Sequence, residues 1–111
     1  MSDFDLGEIE ECRRIAASWA PLLRALGKEE RLLIALWLAG GTRSVRELER
    51  VTGLSQSLVS YHLGQLREAG LVVASPQGRS NRYALRSPDL DQVASLIGTL
   101  DHSASSRASS E

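Results

Sequence analysis

The stretch Gly53 to Val72, GLSQSLVSYHLGQLREAGLV, constrains this chain most, because an amphipathic helix pattern runs there directly into a strand, turn and strand pattern. Ser55 suits a helix N-cap, and Val59, Leu63, Leu66 and Gly70 then recur at spacings of four and three, setting one stripe against a core. The opposite face is small and polar: Ser57, Ser60, Tyr61, Gly64 and Glu68 cluster there, with Gln56 and Arg67 on its edge. A merely solvated helix usually carries long Lys and Glu side chains at such positions. Short hydroxyl and amide groups at a helix start, beside free backbone N–H groups and the positive dipole end, can instead approach base edges and phosphates. The pattern is that of a DNA recognition helix followed by a wing.

The elements around it complete the order. A first helix is expected over about residues 6–25, with Leu6, Ile9, Cys12, Ala16, Trp19, Leu23 and Leu26 on or beside one stripe, Pro21 as a break or bend, and Gly27 as its end. A second, about 29–39, carries Leu32, Leu33, Ile34, Leu36, Trp37 and Leu38, apolar nearly all round and so expected to be the most buried element; Gly40 and Gly41 stop it. Ser44 with Glu47 forms a capping box for a short third helix to about Val51, with Val45, Leu48 and Val51 facing inward, and Thr52, Gly53 and Leu54 make the next turn. Leu71 to Val73 and Tyr83 to Leu85 read as strands about a turn at Gln77 to Asn81. Ser87 and Pro88 open a last helix on Leu90, Val93, Ala94, Ile97 and Leu100, and the Ser- and Ala-rich tail 103–111 reads as disordered.

The fold expected is therefore mainly α (α+β), a winged helix-turn-helix in the order α-α-α-α-β-β-α, with residues 1–102 as one domain whose terminal helices dimerise. At 111 residues and 42% apolar content the core is adequate and small, so a second copy would help. One cysteine rules out an intrachain disulfide framework, and the absence of an 18-residue apolar run or signal-peptide pattern points to a soluble cytoplasmic protein with no membrane partner. The net charge of −1 conceals segregation. Residues 1–12 carry five acids and no base, whereas residues 43–86 carry seven arginines against three glutamates. Duplex DNA responds to the local field, so the later stretch permits phosphate contact.

Arg31 to Leu38 (RLLIALWL), Val45 to Leu48 (VREL), Gly53 to Leu63 (GLSQSLVSYHL), Leu66 to Val72 (LREAGLV) and Gly78 to Leu85 (GRSNRYAL) resemble successive blocks of the ArsR family of small bacterial transcriptional regulators. The resemblance covers about residues 22–101 and is most specific in Leu54 to Ser57, Val59, Ser60, His62 and Leu63. It implies a sequence-specific DNA-binding regulator, with Gln56, Ser57, Ser60 and Tyr61 in the major groove and Arg79 and Arg82 on the wing near phosphates or the minor groove; repression by promoter occlusion is the default mechanism, and the same docking could activate from another operator position. It also implies a homodimer on an inverted-repeat operator, with recognition helices about 34 Å apart. His62, at the flank of the apolar stripe, is expected to be partly buried and hydrogen-bonded. Gly64 departs from relatives, which often carry a basic residue there. A winged helix serving as a protein-interaction module is the alternative.

The signal sensed is less visible. Thiolate metal sensors of the family place a Cys-Val-Cys box where this chain has Ser44, Val45 and Arg46, so soft-metal sensing there has no chemical basis. A second family site on the last helix survives in damaged form as Asp89, Asp91 and His102, with Ser105 a poor fourth ligand; it could hold Ni²⁺ or Zn²⁺ weakly, although acids in a first helical turn also suit the helix dipole. No cofactor is otherwise implied, and sensing could be delegated to a separate protein. Cys12 is expected to be a small buried hydrophobe, since a redox role needs exposure and a resolving thiol. No spacing suggests an acid-base or nucleophile pair, so catalysis is not expected.

Overall fold

The computed structural model describes residues 4–86 together with 91, 92, 94, 95, 97 and 98. Four helices and a hairpin follow in sequence: α1 (Leu6–Leu26), α2 (Glu29–Ala39), α3 (Val45–Thr52), α4 (Gln56–Glu68), β1 (Val72–Gln77) and β2 (Ser80–Leu85). The described residues from 91 to 98 have helical backbone, at the start of the expected last helix. Asp89, His102, Ser105 and the boundary expected at 102/103 lie outside the described residues.

The core is built from Leu22 of α1, Ile34 and Leu38 of α2, Leu48 of α3, Val59, Leu63 and Leu66 of α4, then Leu71 and Val72. Two expectations about it change. α2 is not the most buried element: Ile34, Ala35 and Leu38 are buried, but Leu32, Leu36 and Trp37 stand outside because only one side of the helix meets the other elements. Val51 also faces outward rather than inward, at the last turn of α3 beyond the buried Leu48. Pro21 sits within α1 without ending it, since a single missing backbone hydrogen bond is tolerated where Leu22 beside it is held in the core.

Local chemistry fixes α3 and α4 against each other. Ser44 Oγ accepts from the Glu47 amide at 3.1 Å while Glu47 Oε1 accepts from the Ser44 amide at 2.9 Å, the expected capping box. Gly53 supplies φ 76° at the turn, and the Leu54 amide donates to Thr52 Oγ1. Ser55 Oγ then accepts from the Leu58 amide and starts α4. The end of α4 falls at Glu68, so Gly70 is not part of the helical stripe as expected. It takes φ 79° and closes the helix: the Gly70 amide donates to Arg67 O and the Leu71 amide to Leu66 O, satisfying carbonyls that the helix leaves open.

The hairpin is longer than its apolar residues suggest. Antiparallel pairing runs from Val72 with Leu85 out to Gln77 with Ser80, leaving Gly78 and Arg79 as a two-residue loop with Gly78 at φ 63°. Gln77, Ser80 and Asn81, expected in the turn, are paired strand residues, and Pro76 is accommodated because a two-stranded ribbon has open edges on which a proline costs no ladder bond. Arg43 and Tyr83 exchange both backbone hydrogen bonds, which moors β2 to the segment before α3.

Candidate nucleic-acid interface

The polar face of α4 is open along its first two turns. Gln56, Ser57, Ser60 and Tyr61 are all exposed, and the first turn carries no acid to oppose an anion. Buried Val59, His62, Leu63 and Leu66 fix the helix from the other side. Tyr61 is 57% exposed and its ring meets that of His62 edge-on, with centroids 5.1 Å apart, so the phenol is braced at its base and free at its tip.

His62 is more deeply placed than expected, at 3% exposure. Its Nδ1 lies 3.5 Å from Arg31 Nη1, and Arg31 Nε also donates to the Ala25 carbonyl. Burial, followed by the positive charge of Arg31, pushes the imidazole below its ordinary value and favours the neutral ring. A signal for this burial is present in the sequence: His62 stands three residues after Val59 and four before Leu66, within the apolar stripe.

The two wing arginines part company. Arg79 sits exposed in the loop at the hairpin tip, with no salt bridge among the described residues. Arg82 turns back into the protein. Its Nη1 donates to Glu47 Oε1 at 2.9 Å, its Nη2 to the Thr42 carbonyl at 2.7 Å and its Nε to Thr42 Oγ1 at 3.2 Å. Arg82, expected on the wing near phosphate, lies on β2 and is at the same time a strut that ties the wing to the start of α3. Glu47 completes the strut: the Ser44 amide first, and the Arg82 charge as well, hold its carboxyl below the usual carboxylate range. Thr42 and Glu47 escape sequence reasoning as partners because no local spacing signals a contact made across 40 and 35 residues.

Between the start of α3, the start of α4 and the wing lies an open cleft of about 570 Å³, bordered by Arg46, Gln56, Ser80 and Asn81. The start of α3 does not fit thiolate metal chemistry. Ser44 is occupied with helix capping, Val45 has no donor atom and Arg46 is a cation. Among the described residues no group of three or more His, Cys, Asp or Glu side chains converges on a metal position; of the last-helix candidates only Asp91 is described, while Asp89 and His102 are not. Cys12 is exposed, contrary to the buried role expected, because α1 turns that part of its stripe away from its own core.

A profile of the bacterial regulatory protein, arsR family, matches residues 28–73. The chain is 36% identical over 95 residues to the HTH-type transcriptional regulator YgaV of Escherichia coli, a match covering 84% of this chain and 92% of that protein. It is 34% identical to the transcriptional activator HlyU of Vibrio cholerae, over 83% of this chain and 85% of that protein. Reduced HlyU superposes with a TM-score of 0.71 over 82% of this chain and 96% of that one. The transcriptional repressor BigR of Xylella fastidiosa superposes with a TM-score of 0.70 at 32% identity, over 82% of this chain and 93% of that one.

Proposed function

This chain belongs to the ArsR family of bacterial transcriptional regulators, and we propose that it acts there as a homodimeric reader of an inverted-repeat operator without a thiolate metal switch. The observation that carries the reading is the exposed, acid-free polar face at the start of α4, set beside a wing whose tip presents Arg79. Gln56, Ser57, Ser60 and Tyr61 read base edges, Arg79 reaches backbone or minor groove, and Arg82 holds the wing at the angle that lets it do so.

Dimerisation accounts for the apolar residues that the chain leaves outside. Leu6, Ile9 and Leu23 are exposed on α1, and Ile97 is 56% exposed on the terminal helical stretch. A two-fold pairing through these elements would present two α4 helices about one turn of duplex apart, roughly 34 Å. Repression by promoter occlusion is the default outcome of such docking. The relatives include an activator as well as a repressor, so the direction of control follows from where the operator lies relative to the polymerase.

Among the described residues no helix is long and apolar enough to cross a membrane, and a regulator of cytoplasmic DNA is the reading we adopt. Sensing is assigned to a separate protein or to no direct metal; weak Ni²⁺ or Zn²⁺ binding through Asp89, Asp91 and His102 is the second reading. Calorimetric titration of wild type and His102→Ala with each ion separates them, the second reading requiring heat that the substitution abolishes.

The test of DNA reading is anisotropy on duplexes from upstream of the protein's own coding sequence, in competition with scrambled duplex. Ser57→Ala and Tyr61→Ala each lower specific affinity by roughly tenfold, the scale of one base contact, while the fold is retained. Wild-type affinity in both variants removes the assigned face, and an absence of any preference over scrambled duplex favours a protein-interaction module.

A further inference from the structure

We propose that Arg46 and Arg50 of α3 grip the DNA backbone beside the recognition helix, a contact that rests on the operator reading above and adds a second element to the interface. The two residues are one helical turn apart, so their side chains share a face. Both are exposed, and neither has a salt bridge among the described residues.

Their place in the fold distinguishes them from ordinary surface arginines. Arg46 borders the cleft of about 570 Å³ that reaches Gln56 of α4 and Ser80 and Asn81 of β2. It also borders a second open cleft of about 630 Å³, which continues to Arg50 and to Leu54, the residue just ahead of the α4 N-cap. Arg46 and Glu49 are common to both, so the two clefts form one trough from the wing past the opening of α4. The trough is open along its length, which suits an extended polyanion strand better than an enclosed small molecule. Its cations are guanidinium groups, whose forked donors match phosphate oxygens, and the Asn81 side-chain amide adds a neutral donor at the wing end. Glu49 in the same trough offsets one of the two positive charges and moderates the grip.

Phosphate contacts carry no sequence information, which gives the idea a signature of its own. Binding of wild type, Arg46→Ala and Arg50→Ala is measured by anisotropy across a salt series, on upstream and on scrambled duplexes. Each alanine weakens both duplexes by a similar factor, roughly tenfold. Each also flattens the slope of log affinity against log salt by about 0.9 for every phosphate that is no longer neutralised, hence about 1.8 in a two-fold dimer. Arg46→Lys and Arg50→Lys retain the slope because they retain the charge, and Glu49→Gln tightens binding to both duplexes.

The proposal is overturned if folded alanine variants keep the wild-type slope, or if the lysine variants flatten it as the alanines do. Failure of the operator reading is a different result: wild type then shows no preference for the upstream duplex, while its scrambled-duplex slope still reports on the two arginines. Thermal melting of each variant confirms that the comparison is between folded proteins.

Discussion

Helices α1 and α4 are both amphipathic, yet they spend their apolar residues differently. α4, with 13 residues, buries Val59, His62, Leu63 and Leu66 within its own chain. α1, with 21 residues, buries Leu22 alone and leaves Leu6, Ile9 and Leu23 exposed. A stripe thus states that a helix needs cover without stating whose. The stripe of α4 is covered within the chain, whereas that of α1 is covered only where Leu22 reaches the core.

The sharpest way to break this contrast is truncation within each stripe. Leu63→Ala, at 1% exposure in the core, lowers the free energy of unfolding by about 2–5 kcal/mol, read from denaturant midpoints. A drop of less than about 1 kcal/mol would mean that the α4 stripe is no more essential than that of α1.

The next effect belongs to α1. Leu23→Glu, at a position 46% exposed, leaves helix content intact and weakens self-association by at least about tenfold, measured by sedimentation across a concentration series. If mass and melting temperature remain those of wild type at every concentration, α1 is not the dimer surface.

A smaller effect separates the two faces of α4 itself. A Cβ added at Gly64 meets no atom within 4 Å, so Gly64→Ala gains about 1 kcal/mol of stability by removing backbone freedom from the unfolded chain. Paired with a weaker DNA affinity, that gain would show that this face is shaped for approach to the duplex and not for stability, and an unchanged affinity would remove Gly64 from that face; a decrease in stability would contradict the open space around it.

The smallest effect is the pH dependence of His62. Its imidazole titrates below the ordinary 6.5 when folded, so the unfolded chain takes up the proton first as pH falls. The stability it contributes is fully present above 6.5 and declines progressively below that value. His62→Gln flattens this part of the profile, checked by denaturant midpoints from neutral to mildly acidic pH; an identical slope in the variant would place the titration elsewhere.

What the sequence discloses follows the range of the interactions involved. The Ser44 and Glu47 capping box and the Ser55 N-cap close within three residues, and the inward stripe of Val59, Leu63 and Leu66 closes within one helix, so all are readable. The tie from Arg82 to Thr42 and Glu47 is not readable from sequence, because an exposed hairpin and an arginine are both written locally while the groups that hold it come from 40 and 35 residues away. The outer strand residues Gln77, Ser80 and Asn81 read as turn because strand pattern tracks burial, and the tip of the ribbon is not buried. Cys12 and the outer residues of α2 depart from expectation for the reason that separates α1 from α4: composition marks a face as apolar and cannot say whether the chain's own core covers it.

Leu71 has a mechanical consequence. Its amide is bound to the carbonyl of Leu66 at the end of α4, its carbonyl accepts the Arg86 amide at the far end of the hairpin, and its side chain is fully enclosed. The helix and the wing therefore share a fulcrum. Arg86 is thereby linked through this one buried residue to the end of α4 as well as to the base of the hairpin, so helix and wing are held at a fixed angle by a single backbone hinge point.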